Sequence, residues 1–155
     1  MISSTDFENI KKEIKEFFKK TSFDIKVEVG TLQEETIPVN IEMEEPQILI
    51  GEGGQTLADI QRLLKAVLKK TVAIEEPFYI DLDINNYKKK KLEYLKETAR
   101  ALADEAVLLK KEKELPPMPA YERRIIHLEL AGRQDLTTES IGEGLERKVI
   151  IRPCL

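Results

Sequence analysis

The chain has 155 residues, 41% of them apolar and 35% charged, with a net charge of −4. That is enough apolar material for one medium core or two small ones, while a single cysteine (Cys154) and a single histidine (His127) exclude an internal disulfide and a Cys/His zinc site. No apolar run reaches the length of a membrane span and no signal peptide opens the chain, so a cytoplasmic protein without membrane insertion is expected.

In chain order, Thr5-Asp6-Phe7-Glu8 reads as a capping box opening a helix over residues 6–20, where Phe7, Ile10, Ile14, Phe17 and Phe18 recur at helical spacing. Alternation predicts strands over 24–29 and 36–43, joined by a hairpin loop around Gly30–Glu35. A brief apolar element at 46–50 runs into Gly51-Glu52-Gly53-Gly54. Thr56 and Asp59 then read as the cap of a helix to about Lys70, with Leu57, Ile60, Leu63, Leu64, Val67 and Leu68 as its apolar stripe. A third strand over 78–84 places Phe78, Ile80, Leu82 and Ile84 on one face and Tyr79, Asp81 and Asp83 on the other.

The second half has a different texture. Residues 1–85 carry 10 basic and 17 acidic side chains, a net of −7, against 15 and 12, a net of +3, in residues 86–155. Any anion site is therefore expected in the C-terminal half. Asn85 or Asn86 caps a long helix over 87–113, with a packed seam of Leu92, Leu95, Ala99, Leu102, Ala106 and Leu109. Leu115-Pro116-Pro117-Met118-Pro119 breaks it and leads into a second helix, PAYERRIIHLELA. Pro119 suits the first turn of that helix, and Gly132 suits a left-handed cap at its end. Residues 134–145 read as a loop, and 148–151 as a last strand.

The candidate chemistry centres on Arg123 and His127, one helical turn apart. With Tyr121, Ile125 and Leu128 as the packed stripe, both side chains are expected to face outward, where a guanidinium beside an imidazole suits a phosphate or an unstacked base. Arg124 adds to this basic surface, Arg147, Lys148 and Arg152 flank the last strand and extend it, and Ser140, Gly142 and Gly144 offer hydroxyl and N–H donors. Lys88 and Lys89, in a run of four lysines, are candidates for backbone contact. The glycines of Gly51-Glu52-Gly53-Gly54 allow a tight turn into a helix N-terminus, an arrangement that attracts anions. Asp81 and Asp83 share a strand face without a comparable third ligand, so no metal, cofactor or catalysis is expected.

The order helix, strand, strand, short helix, GxxG, helix, strand is that of a type II KH domain, in which the GxxG turn clamps about four unpaired nucleotides. Together with Ile48–Leu57, Tyr79–Tyr87, Tyr121–His127 and Thr137–Gly144, it makes the chain resemble the bacterial SpoIIIJ-associated, or Jag, family of RNA-binding proteins. The resemblance covers roughly residues 23–152. It implies an α/β (α+β) protein: a type II KH domain with a three-stranded sheet at 1–84, then a small α/β domain of the Arg-x-x-x-His type at 85–155. It also implies binding of single-stranded RNA, or single-stranded DNA, and a post-transcriptional role linked to cell elongation and division. A small KH-only partner or a homodimer is implied too. The family's separate N-terminal Jag domain is not expected here. Where family members commonly carry a basic residue in the turn, this chain has Glu52 and Gly53. That departure supports an alternative, a protein-interaction or dimerisation module on a degenerate KH fold.

Overall fold

In the computed structural model, which describes residues 2–154, helix α1 (Ser4–Lys19) starts two residues earlier than expected. Ser3, not Thr5, is its cap. The Ser3 hydroxyl accepts the Asp6 N–H at 3.1 Å and donates to the Asp6 carboxylate at 2.6 Å, a side-chain cap two residues upstream of the expected one.

Strands β1 (Lys26–Val29) and β2 (Thr36–Glu42) pair antiparallel across the expected hairpin. After a one-turn helix, α2 (Gln47–Ile50), and the glycine turn, α3 (Gln55–Thr71) returns the chain to β3 (Tyr79–Ile84), which pairs parallel to β2. The resulting sheet has the order β1-β2-β3. Ile37, Val39 and Ile41 of β2 and Phe78, Ile80, Leu82 and Ile84 at β3 are buried with Ile10, Ile14 and Phe18 of α1 and Leu57, Leu64 and Leu68 of α3. The predicted alternation of 78–84 holds along its length because one face meets the helices while Tyr79 and Asp81 meet water. Gln61 of α3 covers the sheet's open side, its Oε1 accepting the Leu82 N–H at 3.0 Å.

Helix α4 (Tyr87–Leu109) follows, and Asn85 is not its cap. Asn85, at φ 49°, uses its side chain to extend the ladder instead, accepting the Met43 N–H at 3.0 Å and donating to the Met43 carbonyl at 2.7 Å. The free N-terminal amide of Lys88 goes to Asp83 Oδ1 at 3.2 Å. Asp83 is therefore half-buried and occupied, and Asp81 pairs with the Lys88 ammonium. The chain divides into two units, Met1–Lys88 and Lys89–Leu155, with the division inside the first turn of α4 rather than before it.

In the second unit α4 ends at Leu109, four residues short of expectation, where Lys110 takes φ 52°. Its buried seam is Leu95, Ala99, Ala103 and Ala106, while Leu109 is exposed and Leu102 only half-buried. Strand β4 (Lys113–Glu114) then pairs with β6 (Lys148–Pro153). Helix α5 (Ala120–Leu130) ends on Ala131 at φ −60°, and Gly132 takes no left-handed conformation. Residues 136–141 are not loop: they form β5 (Leu136–Ile141), antiparallel to β6, in a sheet of order β4-β6-β5. Leu115, Ile126, Leu130, Leu136, Val149 and Ile151 close this core against the alanines of α4.

The glycine turn tolerates side chains unevenly. Gly54 at φ 84° is the cap of α3 and no side chain assists it, so Thr56 is not a cap. Thr56 instead fills the space beside Gly51, where an added Cβ would lie 2.1 Å from its Oγ1. Gly51→Ala is therefore expected to destabilise the first unit by more than the roughly 1–2 kcal/mol that a left-handed backbone alone costs. Gly53→Ala, with φ +61° but nothing within 4 Å, should cost that backbone amount only. Urea unfolding of the two variants measures the difference.

Candidate nucleic-acid interface

Helix α5 is rotated from its expected orientation. Ile126 and Leu130 are its buried pair, whereas Tyr121 is 72% exposed and Leu128 66% exposed. At about 100° per residue, Arg123 and His127 lie directly beside the Ile126–Leu130 stripe, and Tyr121, Arg124 and Leu128 lie on the far side. Arg123 and His127 are accordingly half-buried, not turned out to solvent on the face opposite the core.

His127 reaches β5 with both nitrogens. Its Nδ1 lies 2.8 Å from Thr138 Oγ1, and its Nε2 lies 2.8 Å from Ser140 Oγ. Alternate strand residues share a face, so a single ring can span Thr138 and Ser140. Both ring nitrogens are thus engaged by hydroxyls of the strand. Burial first, and the Arg123 charge second, push the His127 pKa below its ordinary value.

Arg123 is held by its inner nitrogen: Nε–H donates to the Met118 carbonyl at 3.2 Å. The Met118 N–H in turn donates to the Arg147 carbonyl at 3.1 Å. One backbone residue thus ties the start of α5 to the start of β6 and brings the Arg123 and Arg147 positions together. Gly142 closes the same end, since an added Cβ there would lie 2.9 Å from the Glu146 carbonyl. Gly144, at φ 52°, begins an open 3₁₀ turn and meets nothing within 4 Å.

Ion pairing separates the cations of this unit. Arg100 pairs with Glu129 at 2.6 Å, Arg133 with Asp135 at 2.6 Å and with Asp104, and Arg152 with Glu112 at 3.2 Å and with Glu139. These contacts raise the pKa of Arg133 and Arg152, and the Arg133 hydrogen bonds lower that of Asp135. Lys148 is taken by Glu114 at 2.5 Å. Among the described residues, no acid pairs with Arg123, Arg124 or Arg147. Glu122, the acid next to Arg123, is neutralised by Lys91 at 2.5 Å. Of the six arginines in the unit, Arg123, Arg124 and Arg147 have no acid partner among the described residues, whereas Arg152, expected from the sequence to extend the same surface together with Lys148, is like Lys148 taken by acids.

The remaining predicted residues stand elsewhere. Gly51, Glu52, Gly53, Gly54 and Lys88 belong to the first unit, where Lys88 is consumed by Asp81 and Glu52 is exposed, with no ion-pair partner among the described residues. Lys89 is exposed on the first turn of α4. Sequence reasoning missed Thr138 and the Met118 carbonyl. The first had a signal, since Thr138 and Ser140 are spaced as strand neighbours; the second had none, because a backbone carbonyl has no residue type. Among the described residues no group of His, Cys, Asp and Glu is placed to hold a metal ion, and no helix is long and apolar enough to cross a membrane.

Residues 91–153 match the family of domains named for the Arg-x-x-x-His signature, the R-three-H domain. The chain is similar to the RNA-binding protein KhpB of Clostridium symbiosum, 37% identical over 128 residues, covering 83% of this chain and 56% of the relative. It is 36% identical over 125 residues to the RNA-binding protein KhpB of Bacillus subtilis (78% and 59% covered), and 31% identical over 113 residues to that of Lactiplantibacillus plantarum (73% and 34% covered). The chain thus spans little more than half the length of the first two relatives.

The lowered pKa of His127 gives a stability prediction with a definite sign. Because the folded value lies below the ordinary value of 6.5, the unfolded chain takes up the proton first as pH falls. The stabilisation present above pH 6.5 should diminish between that pH and the lower folded pKa. Melting temperatures measured above pH 6.5 and at successively lower pH are expected to show a smaller drop in His127→Gln than in the wild type.

Proposed function

We propose that this chain binds single-stranded RNA through its second, Arg-x-x-x-His unit, at the surface carrying Arg123, Arg124 and Arg147. The observation that supports this most is the selective pairing of arginines. A unit that neutralises Arg100, Arg133 and Arg152 with its own acids but leaves three guanidiniums without one has a surface ready for an external anion. The names of the relatives, all RNA-binding proteins, point the same way. Tyr121, exposed one turn before Arg124, adds an aromatic face on which an unpaired base can stack.

In this reading the first unit is a type II KH domain with Gly51-Glu52-Gly53-Gly54 as its nucleic-acid turn. The element order and the β1-β2-β3 sheet support that assignment. Post-transcriptional control in cell elongation and division, a cytoplasmic setting and a small KH-only or identical partner rest on the family resemblance alone. The exposed carboxylate of Glu52 favours a second reading for this unit, a protein-interaction or dimerisation module, because a negative charge on the turn repels phosphate.

Arg123→Ala should weaken binding of a single-stranded oligoribonucleotide about tenfold, the worth of one charge-assisted hydrogen bond. It should also flatten the slope of log K against log salt by about 0.7, one released counterion. Arg100→Ala, which removes a paired cation, should leave both unchanged. Filter-binding titrations at several salt concentrations measure this, and equal affinities for wild type and Arg123→Ala would sink the assignment. Glu52→Lys tests the first unit: a rise in affinity with a steeper salt slope puts the turn on the RNA path. Unchanged RNA binding with an altered oligomeric state favours the interaction module.

A further inference from the structure

The ring of His127 has two hydroxyl partners, and a neutral imidazole has one N–H and one lone pair. One hydroxyl must donate to the ring and the other must accept from it. Position in the sheet distinguishes them. Ser140 pairs with Val149, two residues from Arg147, whereas Thr138 pairs with Ile151 further along β6. Met118 links the Arg147 end of β6 to the Arg123 guanidinium. Ser140 is therefore the hydroxyl on the arginine side, and Thr138 the one behind it.

Resting on the RNA-binding reading above, we propose that Thr138 is a positioning residue for phosphate recognition. Its O–H donates to His127 Nδ1, His127 Nε2–H donates to Ser140 Oγ, and the Ser140 O–H is left to donate to a phosphate oxygen held by Arg123 and Arg147. The opposite tautomer would point the Ser140 proton into the ring and leave only oxygen lone pairs facing the anion. Three residues then act in sequence, and the farthest sets the direction of the donor that meets the ligand. The neutral state this requires is favoured by the burial of the ring and by the neighbouring Arg123 charge. An alternation of Thr and Ser on the inner face of β5 also gains a reason that core packing does not supply.

The chain has one histidine, so a long-range ¹⁵N–¹H spectrum of the ring reports His127 alone. The wild type should show the Nε2-protonated tautomer, both free and with a uridine octanucleotide. Thr138→Val, which keeps the shape and removes the donor, should shift the ring toward Nδ1 protonation. It should also weaken octanucleotide binding by up to about tenfold, the worth of one charge-assisted hydrogen bond. Thr138→Ser should restore both signals. An Nδ1-protonated ring in the wild-type complex would overturn the proposal, and this readout needs no variant to fold. Wild-type affinity in Thr138→Val would overturn it as well. If Arg123→Ala loses affinity while Thr138→Val does not, the relay fails and the RNA-binding reading stands. If Arg123→Ala binds like the wild type, the RNA-binding reading fails and the relay with it.

Discussion

The imidazole of His127 spans from α5 to two alternate residues of β5, and the second unit is arranged around that crossbridge. A polar ring beside an apolar interface costs about 1–3 kcal/mol for each group left unpaired, so its partners must be placed correctly. Thr138 and Ser140 supply both of them. Shifting β5 by one residue would bring Thr137 and Glu139 to the ring and turn Leu136 outward, so the histidine specifies register as well as helix rotation.

Arg123 depends on the same rotation. Because it lies next to the buried stripe, its inner nitrogen meets the Met118 carbonyl, and its two terminal nitrogens remain for an external partner. A guanidinium fixed in this way loses less side-chain freedom on meeting a phosphate than one on an unrestrained stem. Net charge therefore misleads here. Although the chain has 29 acidic and 25 basic residues, Arg123, Arg124 and Arg147 have no acid partner among the described residues, while Arg100, Arg133 and Arg152 are each paired.

Legibility follows how each element is buried. Residues 78–84 alternate strictly and face one core, so the strand is legible to within one residue. Helix α3 has six apolar residues at helical spacing and is equally plain. Strand β5 reads as loop because Leu-Thr-Thr-Glu-Ser-Ile has little apolar alternation; its inner face meets a histidine, which no hydrophobic pattern records. In α5 two stripes compete, and spacing alone favours the one with the larger residues. Ile126 and Leu130 prevail because they fit against Val149, Ile151 and the small residues of α4.

Local spacing determined the identity of most elements, the glycine turn, the placement of Arg123 and His127 one helical turn apart, and the concentration of positive charge in the second half. These are properties of the chain taken a few residues at a time. Tertiary structure alone decided which face of α5 is buried, which arginines lack an acid partner, and that Met118, Thr138 and Ser140 surround the Arg–His pair. Meetings such as His127 with Thr138, 11 residues apart, and Arg152 with Glu112, 40 apart, are set by how helices settle on a sheet rather than by any local preference.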